Sequence, residues 1–291
     1  MADALVDYVL AFSDRYLASW HTSLYGNRGI NMKLLRLLAA SFSLSLRREI
    51  TFRANLVFQL VLTALNVASG FVVLGAVYTQ TQTLAGWSLS ESIVLLGTFQ
   101  IVSGIFATYV EPNLRWFAGQ VRDGKLDTIL VQPAPSLFLV SLGRCEPLSL
   151  SQAAMGLLTI SLGLSNGSSH LSWWGIVSWL LLVGVGLVIA WASRVLMASV
   201  SLWVPSIELD VLYSALWQFG RYPVEIYGQP LRFLFTYILP FAFLSTFPAR
   251  ALFGHSDPQA LLLGIAIAGM AVILVQIIWK AGLRRYTSAT S

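Results

Sequence analysis

Seven residues, Gly119-Gln-Val-Arg-Asp-Gly124-Lys125, have the glycine and lysine spacing of a phosphate-cradling loop. That chemistry also needs a Ser or Thr hydroxyl on Mg²⁺, and the next residue is Leu126. No strand pattern precedes the run, and no parallel α/β alternation follows it, so the match is read as chance. His21, His170 and His255 fall on separate expected surfaces, which argues against a metal site. The single Cys145 excludes a disulfide framework and a multi-cysteine metal site. No Gly-x-Ser-x-Gly elbow is present. We therefore expect no catalytic residue, no metal and no cofactor bound by this chain. The sequon Asn166-Gly-Ser168 is too short a match to decide anything.

Polar chemistry concentrates instead in residues 113–133, where Arg115, Arg122 and Lys125 interleave with Trp116, Phe117 and Val121. Gly124 ends or bends this helical run, and Pro133 stops the next. Mixed charge with an aromatic suits docking on a soluble partner. Arg115, Trp116, Arg122, Gly124, Lys125 and Asp127 are the candidate residues, with aromatic burial giving affinity and charge giving register. Asp127 has a second reading, as a cap on a helix starting near Thr128. A solvated connecting loop is the competing reading of the whole segment.

The surroundings of this segment are those of a membrane. Of 291 residues 56% are apolar and 11% charged, with mean hydropathy +0.72. A soluble monomer so poor in charge could not cover its surface. A cytosolic enzyme, a disordered chain and a nucleic-acid binder are thereby excluded. The net charge of +5 is a topology signal first.

Charge-free gaps locate the spans. No charge lies between Arg53 and Glu91, Glu91 and Glu111, Glu146 and Arg194, Arg232 and Arg250, or Asp257 and Lys280. A helix needs about 20 apolar residues to cross the hydrocarbon core. These gaps predict six spans, at about 54–78, 91–111, 135–164, 173–196, 231–250 and 259–279. Lys and Arg fall almost wholly on one side if the N-terminus is inside, which places both termini in the cytoplasm. Residues 205–229 are read as an inner amphipathic segment. The alternative makes them the fifth span and folds 231–250 into a re-entrant hairpin, which Pro240 and Pro248 would suit. Arg194 is read as a snorkelling interfacial residue.

Residues 1–31 form an extension with no signal-peptide pattern. Residues 32–53 read as an amphipathic elbow helix carrying Arg47, Arg48 and Arg53 toward headgroups. Residues 54–285 then hold the spans, and 286–291 a cytoplasmic tail. Gly184, Gly186 and Ala190 in the fourth span, with Gly264 and Ala268 in the sixth, mark faces for close helix packing. The Trp residues near 173–203 read as interfacial belts.

Several short runs resemble one family. Glu49-Ile-Thr-Phe-Arg53-Ala-Asn55 is similar to the entry into the first span of type 2 ABC (ABC-2) exporter permeases. The Gly86-Trp87 turn, Gly124-Lys-Leu-Asp127…Leu130…Pro133, Arg221-Tyr-Pro223…Ile226-Tyr227, Ile238-Leu-Pro240-Phe and Phe247-Pro-Ala249 resemble one subgroup of the same family. The resemblance covers about 32–285, and Thr51-Phe52 departs from its usual aromatic-Arg pair. It implies an all-α, six-helix permease subunit in the cell membrane. It also implies a second permease copy or a paralogue, and a separate cytoplasmic ATPase that binds ATP and Mg. The cargo expected is a lipophilic or amphipathic compound. An ion-coupled secondary carrier and a non-transporting scaffold are the rival readings; acids within the spans, which the carrier would need, are few.

Overall fold

The computed structural model describes residues 30–51, 53–132, 134–165, 172–204, 209–255 and 257–290. The expected extension, the sequon turn, Pro133 and Pro205 lie outside them wholly or largely. Contacts divide the chain into Met1–Ala40 and Ser41–Ser291. The first unit contributes a described helical stretch, 30–40. The second unit holds every candidate membrane span.

The described residues form helices and turns without a strand. They run α1 (Ile30–Thr51), α2 (Arg53–Tyr78), α3 (Leu89–Tyr109), α4 (Glu111–Arg122), α5 (Asp127–Leu130) and α6 (Ser136–Leu142). After these come α7 (Leu150–Ser165), α8 (Trp173–Ser199), α9 (Leu209–Trp217), α10 (Gln229–Phe233), α11 (Thr246–Leu252) and α12 (Pro258–Thr290). Five segments are long and apolar enough to cross a membrane: Ala54–Tyr78, Leu89–Tyr109, Pro147–Ser165, Trp173–Leu202 and Pro258–Tyr286. The protein is therefore a multi-pass, all-helical membrane protein.

α3 is the central helix. Its start is fixed by a capping box: Ser88 Oγ accepts from the Glu91 N–H, and the Glu91 carboxylate accepts from the Ser88 N–H at 2.7 Å. Its buried hydroxyls tie three neighbours to it. Trp179 Nε1 donates to Thr98 Oγ1 at 3.2 Å, Trp217 Nε1 donates to Ser103 Oγ at 3.0 Å, and Tyr78 OH lies 2.7 Å from Ser92 Oγ. Such bonds matter in lipid, where apolar contact alone does not drive helices together.

α7 lies antiparallel on α3 at backbone distance. A Cβ on Gly97 would sit 2.7 Å from the Gly156 carbonyl, and one on Gly104 would sit 2.5 Å from the Ala153 nitrogen. One on Gly163 would meet Val94 at 2.8 Å. Gly97 and Gly104, like Gly156 and Gly163, are two turns apart on one face.

The third span is shorter than its charge gap predicts. The stretch 135–164 is broken: α6 ends at Leu142, Asn113 holds the turn by accepting from the Arg144 N–H at 2.7 Å, and the span starts at Pro147.

The second correction is larger. Residues 231–250 are not a straight span. Gln229–Ile238 and Phe241–Leu252 meet at a 70° bend. The Glu225 carboxylate, just before this excursion, lies 3.0 Å from the Arg250 guanidinium near its close. Glu225 also accepts from Trp87 Nε1 at 3.0 Å. Both ends of the excursion thus return to the Trp87 end of the molecule, so it is re-entrant. The crossing is made instead by residues 209–226, through α9 and 3₁₀ turns at Gln218–Arg221 and Val224–Ile226. Side chains satisfy the freed backbone. Ser245 Oγ donates to the Gly220 carbonyl, Tyr227 OH donates to the Phe219 carbonyl, and Thr246 Oγ1 accepts from the Val224 N–H. α12 then runs parallel to α8, with Gly264 beside Val185 and Gly282 beside Leu202.

Arg194 does not snorkel. Its side chain is 4% exposed, paired with Asp210, and its guanidinium carbon lies 4.8 Å from the Tyr213 ring centroid. The Asp210 partner and the aromatic ring compensate a charge that burial would otherwise expel.

Candidate functional site: a charged surface and an adjoining cleft

The 113–133 segment has the shape of a docking element. α4 is amphipathic: Leu114, Phe117 and Val121 are buried, and Phe117 packs on Trp279 of α12 with centroids 5.3 Å apart. Burial continues through Leu126 and Ile129. The opposite face carries Arg115, Arg122, Lys125 and Asp127, all exposed. Arg115 pairs with Glu111 one turn earlier, and Lys125 Nζ lies 3.2 Å from Asp123. These exposed pairs contribute little stability, which leaves them free to exchange partners.

Gly124 ends α4 with φ +68°. Its N–H donates to the Val121 carbonyl, and the Lys125 N–H donates to the Gln120 carbonyl at 2.9 Å. This is a Schellman closure, which needs a residue tolerant of the left-handed region. It turns the chain so that Lys125 reaches back to Asp123 at the end of α4.

Two expectations change. Trp116 is half-buried against the core, not out among the charges, and the Arg144 guanidinium carbon covers its ring at 3.8 Å from the centroid. Asp127 is the first residue of α5 and makes no side-chain cap bond; the N-cap is Leu126. The turn is held instead by Thr128 Oγ1, which donates to the Lys125 carbonyl at 2.8 Å.

The small-residue positions separate. A Cβ on Gly186 would collide with the Phe243 carbonyl of the re-entrant loop, and one on Gly264 would lie 2.5 Å from the Phe243 ring. Ala190 and Ala268 are buried. Gly184 faces open space.

Of the elbow, Arg47 and Arg48 are exposed, and Arg53 lies in α2. The second half of α1 docks on the 143–148 loop. Ser41 Oγ donates to the Gly143 carbonyl at 2.9 Å, and Glu49 accepts from the Leu148 N–H at 2.9 Å. Beside this seam opens a cleft of about 760 Å³, lined by Arg48, Glu49, Asn55, Gln59, Glu146 and Leu148, among others. Desolvation raises the Glu49 carboxyl above its ordinary range; the Leu148 N–H opposes this, Glu146 adds to it and Arg48 opposes it. Desolvation likewise raises Glu146, with Arg115 opposing.

Sequence reasoning missed this cleft and the Gly97/Gly156 contact. The signal for the cleft was the polar spacing Asn55-x₃-Gln59-x₃-Thr63 inside an apolar span, which puts all three on one helix face. Among the described residues no group of three or more His, Cys, Asp or Glu is placed to hold a metal ion.

Residues 64–290 match the family model described as ABC-2 family transporter protein. The chain belongs to the ABC-2 transporter family. No curated protein and no solved structure matches it. The ABC-2 match begins inside α2 and runs through α12, so it takes in the α4–Gly124 element, the broken crossing and the re-entrant hairpin. As a member of that family the chain is a transporter membrane subunit and is not itself catalytic.

Proposed function

We propose that this chain is the permease subunit of an ATP-driven exporter, powered through its α4–Gly124–α5 surface by a separate cytoplasmic ATPase. The observation that carries this is one element with two faces: Phe117, Val121 and Leu126 locked in the core, and Arg115, Arg122, Lys125 and Asp127 exposed opposite them. A force applied to the charged face moves the core it is bolted to, including α12 through Trp279. ATP and Mg bind on the partner in this reading, and a second permease copy or a paralogue completes the pathway. Both termini and the α4 end are cytoplasmic. The Trp87 end and the re-entrant hairpin face outward, and the cargo is an amphipathic compound leaving the cytoplasm or inner leaflet.

The test is affinity purification of the tagged chain from its native membrane. The parent should carry Mg-dependent ATP hydrolysis. An Arg115→Glu, Arg122→Glu, Lys125→Glu variant should elute at the same volume without it. Equal hydrolysis in both eluates would overturn the assignment of this surface.

A further inference from the structure

Arg221 sits in the broken crossing at the middle depth of the membrane. Its Nη2 donates to Asn66 Oδ1 at 3.4 Å, and its guanidinium carbon lies 5.9 Å from the Phe99 ring centroid. Asn66 is midway along the span Ala54–Tyr78, and Phe99 is midway along Leu89–Tyr109. Among the described residues no carboxylate is in salt-bridge contact with Arg221. The other charges of that crossing, Asp210 and Glu225, are held by Arg194 and Arg250. The Arg221 Nε is buried and has no acceptor. Gln100, next to Phe99 on α3, repeats the shortage at the same depth. It is 4% exposed, its Oε1 accepts from Thr159 Oγ1 at 3.0 Å, and its Nε2 has no acceptor.

A guanidinium at this depth is costly, and such a charge faces a protein interior or a water-filled passage rather than lipid. Asn66 is exposed and Arg221 partly so, so this polar pair opens outward from the subunit. A second copy of the chain could not neutralise it: no described acid lies midway along a crossing segment. The shortage is therefore of an acceptor from outside the chain. Arg221 has five N–H donors in a planar fork, which matches a phosphate, sulfate or carboxylate two bonds at a time. A bare anion pays its full desolvation to reach mid-membrane; one carried on an apolar body pays less. We propose that Arg221, held by Asn66, binds the anionic headgroup of an amphiphile on the cargo passage. The inference deepens the exporter reading and rests on it for calling the ligand a cargo. The binding step needs no ATPase.

The experiment is native mass spectrometry of the full chain in a neutral detergent, titrated separately with octyl sulfate, octylammonium and dihexanoyl phosphatidylglycerol. Octyl sulfate should bind at least about tenfold more tightly than octylammonium. This comparison uses the parent alone and is immune to misfolded variants. Arg221→Gln should remove the preference. Arg232→Gln, which removes the same charge from an exposed position, should keep it. Arg221→Gln should also melt at or above the parent, since it takes a cation without an acid out of the membrane interior. Phosphatidylglycerol binding as tightly as octyl sulfate, and lost in Arg221→Gln, identifies a lipid headgroup. An Arg221-dependent preference for octyl sulfate alone identifies a non-lipid anion. Equal binding of octyl sulfate and octylammonium, a preference that survives Arg221→Gln, or one that Arg232→Gln removes equally would each overturn the proposal. So would an Arg221→Gln variant that melts below the parent, because the guanidinium would then serve the fold. Failure here with intact ATPase recruitment would leave the exporter reading standing.

Discussion

Glu225 and Arg250 meet at 3.0 Å across the mouth of a re-entrant hairpin, and the Arg250 guanidinium carbon lies 5.4 Å from the Trp87 ring centroid. One carboxylate thereby joins the end of the broken crossing, the close of the hairpin and the α2–α3 turn. The resulting topology can be read with a thiol reagent. In a Cys145→Ser background, Gly228→Cys and Thr83→Cys should react with an impermeant maleimide from outside intact cells, and Gln120→Cys should not. Protection of Gly228→Cys would restore 231–250 as a full span.

Backbone contact between α3 and α7 leaves no room for side chains at Gly97 and Gly156. Gly97→Leu should destabilise the protein by about 1–3 kcal/mol through overpacking. Gly184→Leu, on an open face, should be tolerated. Thermal unfolding in detergent separates them; equal melting temperatures would contradict the packing described.

The buried Arg194–Asp210 pair should behave asymmetrically. Removing one partner of a fully buried pair costs about 3–5 kcal/mol, and less here because the Asp210 side chain is 38% exposed. Asp210→Asn should therefore lower the melting temperature, and Arg194→Met with Asp210→Leu should recover much of the loss. A double variant no better than Asp210→Asn would show that the charges do more than cancel each other.

Glu49 and Glu146 both titrate above the ordinary carboxylate value of 4.5. Protonation therefore favours the folded state: stability from these groups is present at low pH and is lost as pH rises through their raised values. Glu49→Gln with Glu146→Gln should melt at or above the parent at pH 7.5. The difference should shrink as pH falls toward 4.5. A parent more stable than the variant at pH 7.5 would reverse this account.

The long spans were legible because a charge is expensive in hydrocarbon, so charge-free gaps mark α2, α3, α7, α8 and α12 directly. The broken crossing was illegible for the same reason. Asp210, Arg221 and Glu225 look like cytoplasmic charges, yet each has an intramolecular partner: Arg194, Asn66 and Arg250. Arg250, which reads as a boundary charge in the sequence, is held by Glu225 beside Trp87. The charged face of α4 was readable from alternation alone. The cover on Trp116 was not, because Arg144 reaches it from a loop that only the fold brings near.

The α4–Gly124 surface is tested most directly by photocrosslinking in the native membrane. p-Benzoylphenylalanine placed singly at Arg115, Arg122 and Lys125 should yield an adduct whose partner peptides come from an ABC ATPase. The same probe at Thr83, on the opposite end, should yield none. Adducts to the ATPase from Thr83, or their absence at all three charged positions while the ATPase still co-purifies, would contradict the account.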